Sequence, residues 1–322
     1  MFKSTGHLRL NAGKRMKMPV GVLVCDHIAD DGLNMLKGAG FHVDYRPKIT
    51  PEELLSTISS FDVVIVRGRT KIRADVIERA SNLKVIGRAG VGLDNIDLGA
   101  AKKRNIAVYH SPESLTNAVA ELTLGLMIAV ARGIGAGHSS LKSGKWIKDA
   151  LMGTELRGKV LGIVGFGRIG RRLAELSKPF NMTVLAYDVV TPDVQTLSSL
   201  GAKMVQLDEL LRDSDFISLH LPGGTETNNM INAERLAMLK KTAFIINTSR
   251  GQVLDENALV NALKSGSIRG AALDVYAVEP PSNRELLNLD NVVLTPHIGG
   301  QTYEAQVSAA TIVAEKVVRH FS

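Results

Sequence analysis

The segment Gly165-Phe-Gly167-Arg168-Ile169-Gly170 has the glycine spacing of a turn that cradles phosphate. The first glycine permits a tight turn, the second lets a pyrophosphate approach the backbone, and the third lets the following helix pack against its strand. The helix start then presents unpaired N–H groups and a positive dipole end to the phosphates. Alone, such a spacing is a weak signal. Here an apolar, β-branched stretch from Val160 to Val164 precedes it, a helical stretch through Arg171 to Lys178 follows, and the next strand ends in Asp188. A carboxylate at that point accepts hydrogen bonds from a ribose and repels a 2′-phosphate, and Val189, Val190 and Thr191 bring no cation to bind one. NAD is therefore the expected cofactor.

Three later segments also carry polar residues just after strands, where ligands bind in open α/β sheets. They are Asn247-Thr248-Ser249-Arg250-Gly251, Asp274-Val-Tyr-Ala-Val-Glu279-Pro280-Pro281 and Thr295-Pro-His297-Ile-Gly299-Gly300. Upstream, Gly87-Arg88-Ala89-Gly90-Val91-Gly92-Leu93-Asp94 forms a glycine-rich turn whose N–H groups can nest a carboxylate. Arg67-Gly-Arg69-Thr70-Lys71 adds three cations close to it, a cluster suited to a substrate with a second anionic group. His220 ends a strand, where it borders an adenine or makes a structural hydrogen bond. The other histidines lack partner patterns, and no pair of His or Cys has metal-ligand spacing.

These residues need a scaffold, and its rhythm is legible. In a chain of 322 residues with 45% hydrophobic content, about two globular domains are expected. Short β-branched segments alternate with amphipathic ones, the mark of an α/β fold with helices covering parallel sheets. Strands are expected at Val20 to Cys25, Phe41 to Arg46, Val63 to Arg67, Lys84 to Gly87 and Ala107 to His110. Six more are expected at Val160 to Val164, Thr183 to Tyr187, Phe216 to His220, Ala243 to Asn247, Ala271 to Val275 and Val292 to Leu294. The fold class is two doubly wound, Rossmann-like domains. Residues 20–114 and 298–322 form a substrate domain completed by the C-terminal helix, and 115–297 form an NAD-binding domain. Its first helix, Leu115 to Arg132, links the domains or packs on a partner subunit.

Charge and cysteine content narrow the classes further. The net charge of +7 invites a nucleic-acid reading, but Lys3, Arg9, Lys14, Arg15 and Lys17 lie in an acid-free leader, residues 1–19; without them the net charge is +2. The leader lacks an export signal's apolar core and is expected to be a disordered arm or the product of an upstream start. No run of 18 apolar residues marks a membrane span. The single Cys25 permits no internal disulfide and fits a reducing cytoplasm.

With its Arg, Glu and His motifs in order behind a dinucleotide fingerprint, the chain from Val20 onward resembles the D-specific 2-hydroxyacid dehydrogenase family. The resemblance implies His297 as acid or base, Glu279 as the partner that orients its ring, and Arg250 as the anchor of the substrate carboxylate. It implies Asp274 as acceptor for the nicotinamide carboxamide, and Pro222, Thr227, Thr248, Ser249 and Gly299 as further cofactor contacts. Arg67, Arg88, Val91 and Gly92 fall to the substrate, and the assembly implied is a homodimer. Arg67-x-x-Thr70, the Arg88 segment and Glu304-Ala305-Gln306 resemble the phosphoglycerate dehydrogenase branch, which opens serine synthesis. Leu115, standing where that branch has Asn, looks more like glyoxylate or hydroxypyruvate reductases, and Gly300-Gln301 replaces the branch's Ala-Ser. Non-catalytic NAD-sensing members of the family form a third reading. The chain ends at Ser322 without length for an appended regulatory domain, so no serine feedback through such a domain is expected.

Overall fold

The computed structural model describes residues 19–322; the rest of the expected basic leader lies outside the described residues. Two sheets form, each wholly parallel. The first contains β1 (Gly21–Val24), β2 (His42–Tyr45), β3 (Val63–Val66), β4 (Val85–Arg88) and β5 (Ala107–His110), in the order β2-β1-β3-β4-β5. The second contains β6 (Val160–Val164), β7 (Thr183–Tyr187), β8 (Ala202–Met204), β9 (Phe216–Leu219), β10 (Phe244–Asn247), β11 (Gly270–Leu273) and β12 (Val292–Leu294). Its order, β12-β11-β10-β9-β6-β7-β8, reverses direction between β6 and β9, which creates the crevice at which open sheets of this kind bind ligands.

Strands such as Val63–Val66 are buried on both faces, which is why they read as unbroken apolar runs. One face of the first sheet, with Leu23, Val64, Val66 and Ile86, packs on Leu54, Ile58 and Ile77. The other face, with Val22, Val24, Val63, Ile65 and Val85, meets Leu33 and Leu36 together with Ala309, Ala310, Val313, Ala314 and Val317. Those last five belong to the helix Tyr303–Phe321, which crosses back from the end of the second unit. The Thr302 side chain caps it by accepting from the Ala305 N–H, and Glu304 in its first turn complements the helix dipole.

The second sheet has seven strands where the sequence reading expected six. The added strand, Ala202–Met204, pairs along one side only and has no β-branched residue, so periodicity gave no signal for it. In the helix Thr116–Ala131, within the segment expected to link the domains or pack on a partner subunit, Ala118, Val119, Ala120, Thr123, Leu126, Met127 and Ala131 are buried within the chain. Exposed large apolar side chains follow in the next stretch of sequence: Ile134, Leu141, Trp146 and Met152.

Val313 is 1% exposed at the seam between the returning helix and the first sheet. Val313→Ala should destabilise the first unit by about 2 kcal/mol through lost burial and an incompletely collapsed cavity. The shift in urea midpoint measures it.

Candidate active site

The histidine comes from the turn after β12. Its backbone adopts the left-handed conformation, φ 52°, uncommon for a residue with a side chain. What holds it there is Asp274, at the end of β11 and 1% exposed. Its Oδ1 accepts from the Thr295 hydroxyl at 2.6 Å and the Ile298 N–H at 2.8 Å, and its Oδ2 from the Gly299 N–H at 2.8 Å. The His297 N–H donates to the Asp274 carbonyl at 2.9 Å. Three acceptor sites of this carboxylate thus organise the histidine turn, a task the sequence reading had not given it. The ring's Nδ1 lies 2.8 Å from Glu279 Oε2, while Nε2 has no protein partner among the described residues. A carboxylate on Nδ1 fixes the tautomer that leaves Nε2 free to accept a proton.

Arg250 is presented by the turn after β10. Buried Asn247 shapes this turn, donating from Nδ2 to the Arg250 carbonyl at 2.9 Å and accepting from Ser249 N–H and Oγ. A Cβ on Gly251 would lie 1.9 Å from the Tyr276 carbonyl, so only glycine lets this turn lie against the loop that carries Glu279. The Arg250 guanidinium binds Asp94 and the Ser249 carbonyl, and makes no hydrogen bond to Glu279 or His297.

Between the two units lies a cleft of about 440 Å³. It is lined by His297, by Arg67, Arg69, Arg88 and Gly90, and by Leu115, Gly300 and Gln301. Arg88 is the unusual group. Its Nε is buried without a partner, and burial, then the charges of Arg250 and Arg67, push its pKa down to about 10. It remains a cation at neutral pH, near Arg250 and Arg67, with Asp94 and Asp26 as countercharges but no ion pair to either. Two neighbouring backbone N–H groups, those of Val91 and Gly92, have no protein partner among the described residues, whereas Ala89 and Gly90 donate to Val66 O and Ser111 Oγ.

Arg69 also lines the cleft, but its guanidinium is engaged by Asp26 and the carbonyls of Cys25, Ile49 and Pro47, which ties its loop to those after β1 and β2. Lys71 does not line the cleft. Asp26, which sequence reasoning passed over, is 3% exposed and also accepts from the Arg67 and Thr70 N–H groups. Its place at the carboxyl end of β1 was the available signal.

At the dinucleotide crevice, Gly165 has φ 95° and a Cβ there would meet the His220 carbonyl at 2.6 Å. Gly167 faces open space at the start of the helix Arg168–Ser177, with Arg168 exposed, Ile169 half-buried and Gly170 buried. Asp188 accepts from the Phe166 N–H at 2.7 Å and the Val190 N–H at 3.0 Å, leaving a further lone pair on each oxygen for a ribose. The His220 ring bonds Ser218 through Nε2, and its Nδ1 is buried without a partner. An orphaned ring nitrogen beside an open glycine turn fits a bound dinucleotide. Thr248 and Ser249 turn their hydroxyls inward, to Thr123 and Asn247. Thr227 Oγ1 donates to the Pro222 carbonyl, and the Gly299 N–H is taken by Asp274. Pro222 itself is exposed.

A reversing parallel sheet, a glycine turn at the reversal and a histidine–carboxylate pair in a two-unit cleft define a Rossmann-type, nicotinamide-dinucleotide-binding class of protein. Residues 124–299 match the family model described as D-isomer specific 2-hydroxyacid dehydrogenase, NAD binding domain. The chain belongs to the D-isomer specific 2-hydroxyacid dehydrogenase family. It is 46% identical over 299 residues to a D-3-phosphoglycerate dehydrogenase of Methanocaldococcus jannaschii, covering 92% of this chain and 57% of that one. It is 47% identical over 271 residues to a hydroxypyruvate reductase of Thermotoga maritima, covering 83% and 87%. A solved structure from Thermus thermophilus superposes with a TM-score of 0.86 at 37% identity, over 94% and 97% of the two chains. The chain spans about half the length of the curated phosphoglycerate dehydrogenases it matches.

Burial holds the His220 ring well below its ordinary 6.5, at about 4. Between those values the unfolded chain takes up a proton that the folded chain refuses, so stability falls as pH drops through this window. At pH 5 the loss is about 2 kcal/mol, an upper value because the residue's outer edge reaches solvent. His220→Gln should flatten this part of the pH dependence, read from urea unfolding at pH 7 and pH 5.

Proposed function

We propose that this chain transfers a hydride between a 2-hydroxy acid and NAD, and that the substrate is 3-phosphoglycerate, oxidised to 3-phosphohydroxypyruvate. One observation carries the reading: a cleft lined by His297, whose ring is paired with Glu279, and by Arg67 and a half-buried Arg88 whose Nε has no partner. Clustered, desolvated guanidinium groups are costly unless an anion joins them, and a phosphate is the anion that offers most charge and most acceptors.

NAD, held at the Gly165–Gly170 turn, supplies the hydride acceptor. The protein's part is proton transfer, orientation and exclusion of water. His297 Nε2 takes the hydroxyl proton as the hydride departs, and returns it in the reductive direction. Glu279 keeps the ring turned toward the cleft and balances the charge the ring acquires. Arg250 holds the substrate carboxylate with its unengaged N–H groups, assisted by the Val91 and Gly92 backbone, while Arg67 and Arg88 receive the phosphate. The similarity to D-3-phosphoglycerate dehydrogenases supports this assignment.

A second reading, reduction of unphosphorylated hydroxypyruvate, has its own observation. Leu115 lies in the cleft against Gly300, so part of the wall is apolar, and the hydroxypyruvate reductase relative matches over most of its own length. We further propose that a second copy covers Ile134, Leu141, Trp146 and Met152, each more than half exposed.

Turnover with NAD and NADH across phosphorylated and unphosphorylated 2-hydroxy and 2-oxo acids tests the reading directly. 3-Phosphoglycerate should be preferred, and Arg88→Ala should raise its KM by about 10- to 100-fold while leaving glycerate nearly unaffected. Equal performance of phosphorylated and unphosphorylated acids favours the reductase. His297→Ala should lower kcat by about 100- to 10,000-fold; near-normal activity would rule out the proton-transfer role and favour a sensor. For the assembly, Trp146→Glu should convert a dimer to a monomer in light scattering.

A further inference from the structure

Arg250 reaches from the second unit to Asp94 of the first. Its Nε and Nη2 donate to one oxygen of Asp94, Oδ2, at 3.1 and 2.9 Å, and its Nη1 donates to the Ser249 carbonyl at 2.7 Å. A guanidinium has five N–H groups. Three are engaged here, which leaves one on each terminal nitrogen, a pair that a carboxylate can span. The approach is close enough that a Cβ on Gly92 would fall 1.9 Å from Nη2 and 2.6 Å from Asp94 Oδ2, so the glycine is a condition of the contact.

Asp94 has a second cationic neighbour in Arg88. Burial raises the Asp94 pKa, but the hydrogen bond and charge of Arg250 outweigh it, and Arg88 adds to them, so the carboxyl stays ionised. The pair is not a strong tie. The side chains of Arg250 and Asp94 are 29% and 55% exposed, and a bridge that open contributes at most about 1 kcal/mol. What it fixes is direction.

We propose that Asp94 is a positioning residue for substrate binding: by gripping one edge of Arg250 from the opposite unit, it aims the remaining N–H pair at the substrate carboxylate. The inference rests on the reading of Arg250 as carboxylate anchor. It also makes that anchor conditional on the two units being together, since the aspartate and the arginine arrive from different sheets.

The sign of one measurement separates this role from plain electrostatics. If Asp94 acted only through its charge, removing it would raise the positive potential around Arg88 and Arg250 and tighten anion binding. A positioning role has the opposite sign, because a guanidinium free to rotate loses its aimed geometry. The probe is oxalate, a small carboxylate resembling the head of a 2-oxo acid, titrated by calorimetry into the intact protein loaded with NADH. Asp94→Asn should weaken oxalate binding by about 10- to 100-fold, with NADH affinity and thermal midpoint unchanged, and Asp94→Glu should recover part of the loss. Unchanged or tighter oxalate binding in Asp94→Asn overturns the proposal. Arg250→Ala serves as the gauge. If it abolishes oxalate binding while Asp94→Asn does not, the positioning role falls and the anchor stands; if it has no effect, the anchor itself falls, and the proposal with it.

Discussion

The working loops of this molecule hang on a charge-assisted hydrogen bond repeated three times. In each case an aspartate at the carboxyl end of one strand accepts backbone N–H groups from the loop that follows, or begins beside, its neighbour. Asp26 after β1 holds the Arg67 loop, Asp188 after β7 holds the glycine turn, and Asp274 after β11 holds the His297 turn. Parallel pairing makes this possible, because it brings successive carboxyl ends side by side. Bonds of this kind are shorter and stronger than neutral ones, and a buried carboxylate deprived of its donors is costly. Loops that would otherwise sample many conformations are thereby fixed where ligands arrive.

A related device appears at the opposite ends of the sheets. Asp62 and Asp215, each just before a strand, accept the Gly21 and Val160 N–H groups and pair with Lys84 and Lys240. There the lysines neutralise the carboxylates. At the ligand-binding ends, Asp188 and Asp274 have no cationic partner among the described residues, whereas Asp26 is paired with Arg69 and Asp94 with Arg250.

Much of this was legible in the chain. The glycine turn carries its own steric logic, and Glu279 and His297 stand behind adjacent strands that short apolar runs mark, so their convergence followed from the topology. Cation counting was less informative. Arg67 and Arg69 look alike in sequence and both line the cleft, yet the Arg69 guanidinium is taken up by Asp26 and three carbonyls whereas Arg67 donates only to the His27 carbonyl, a distinction that needs the folded neighbours of each. Asp94 was visible in the glycine-rich segment but acquired a role only when a guanidinium arrived from the other sheet. The strand Ala202–Met204 had no pattern to betray it, since its pairing comes from the neighbour Thr183–Tyr187.

The helix Tyr303–Phe321 returns to the first sheet after the dinucleotide unit is complete. In chain order, one unit is therefore inserted within the other, and the polypeptide passes between them twice, near Leu115 and near Gly300. These passages touch, for a Cβ at residue 300 would sit 3.0 Å from the Leu115 side chain. Two bodies joined by adjacent strips behave like a door and its frame: they cannot drift apart or twist freely, and relative movement reduces to a swing about the line through both strips. The first unit also cannot be finished until this returning helix has left the ribosome.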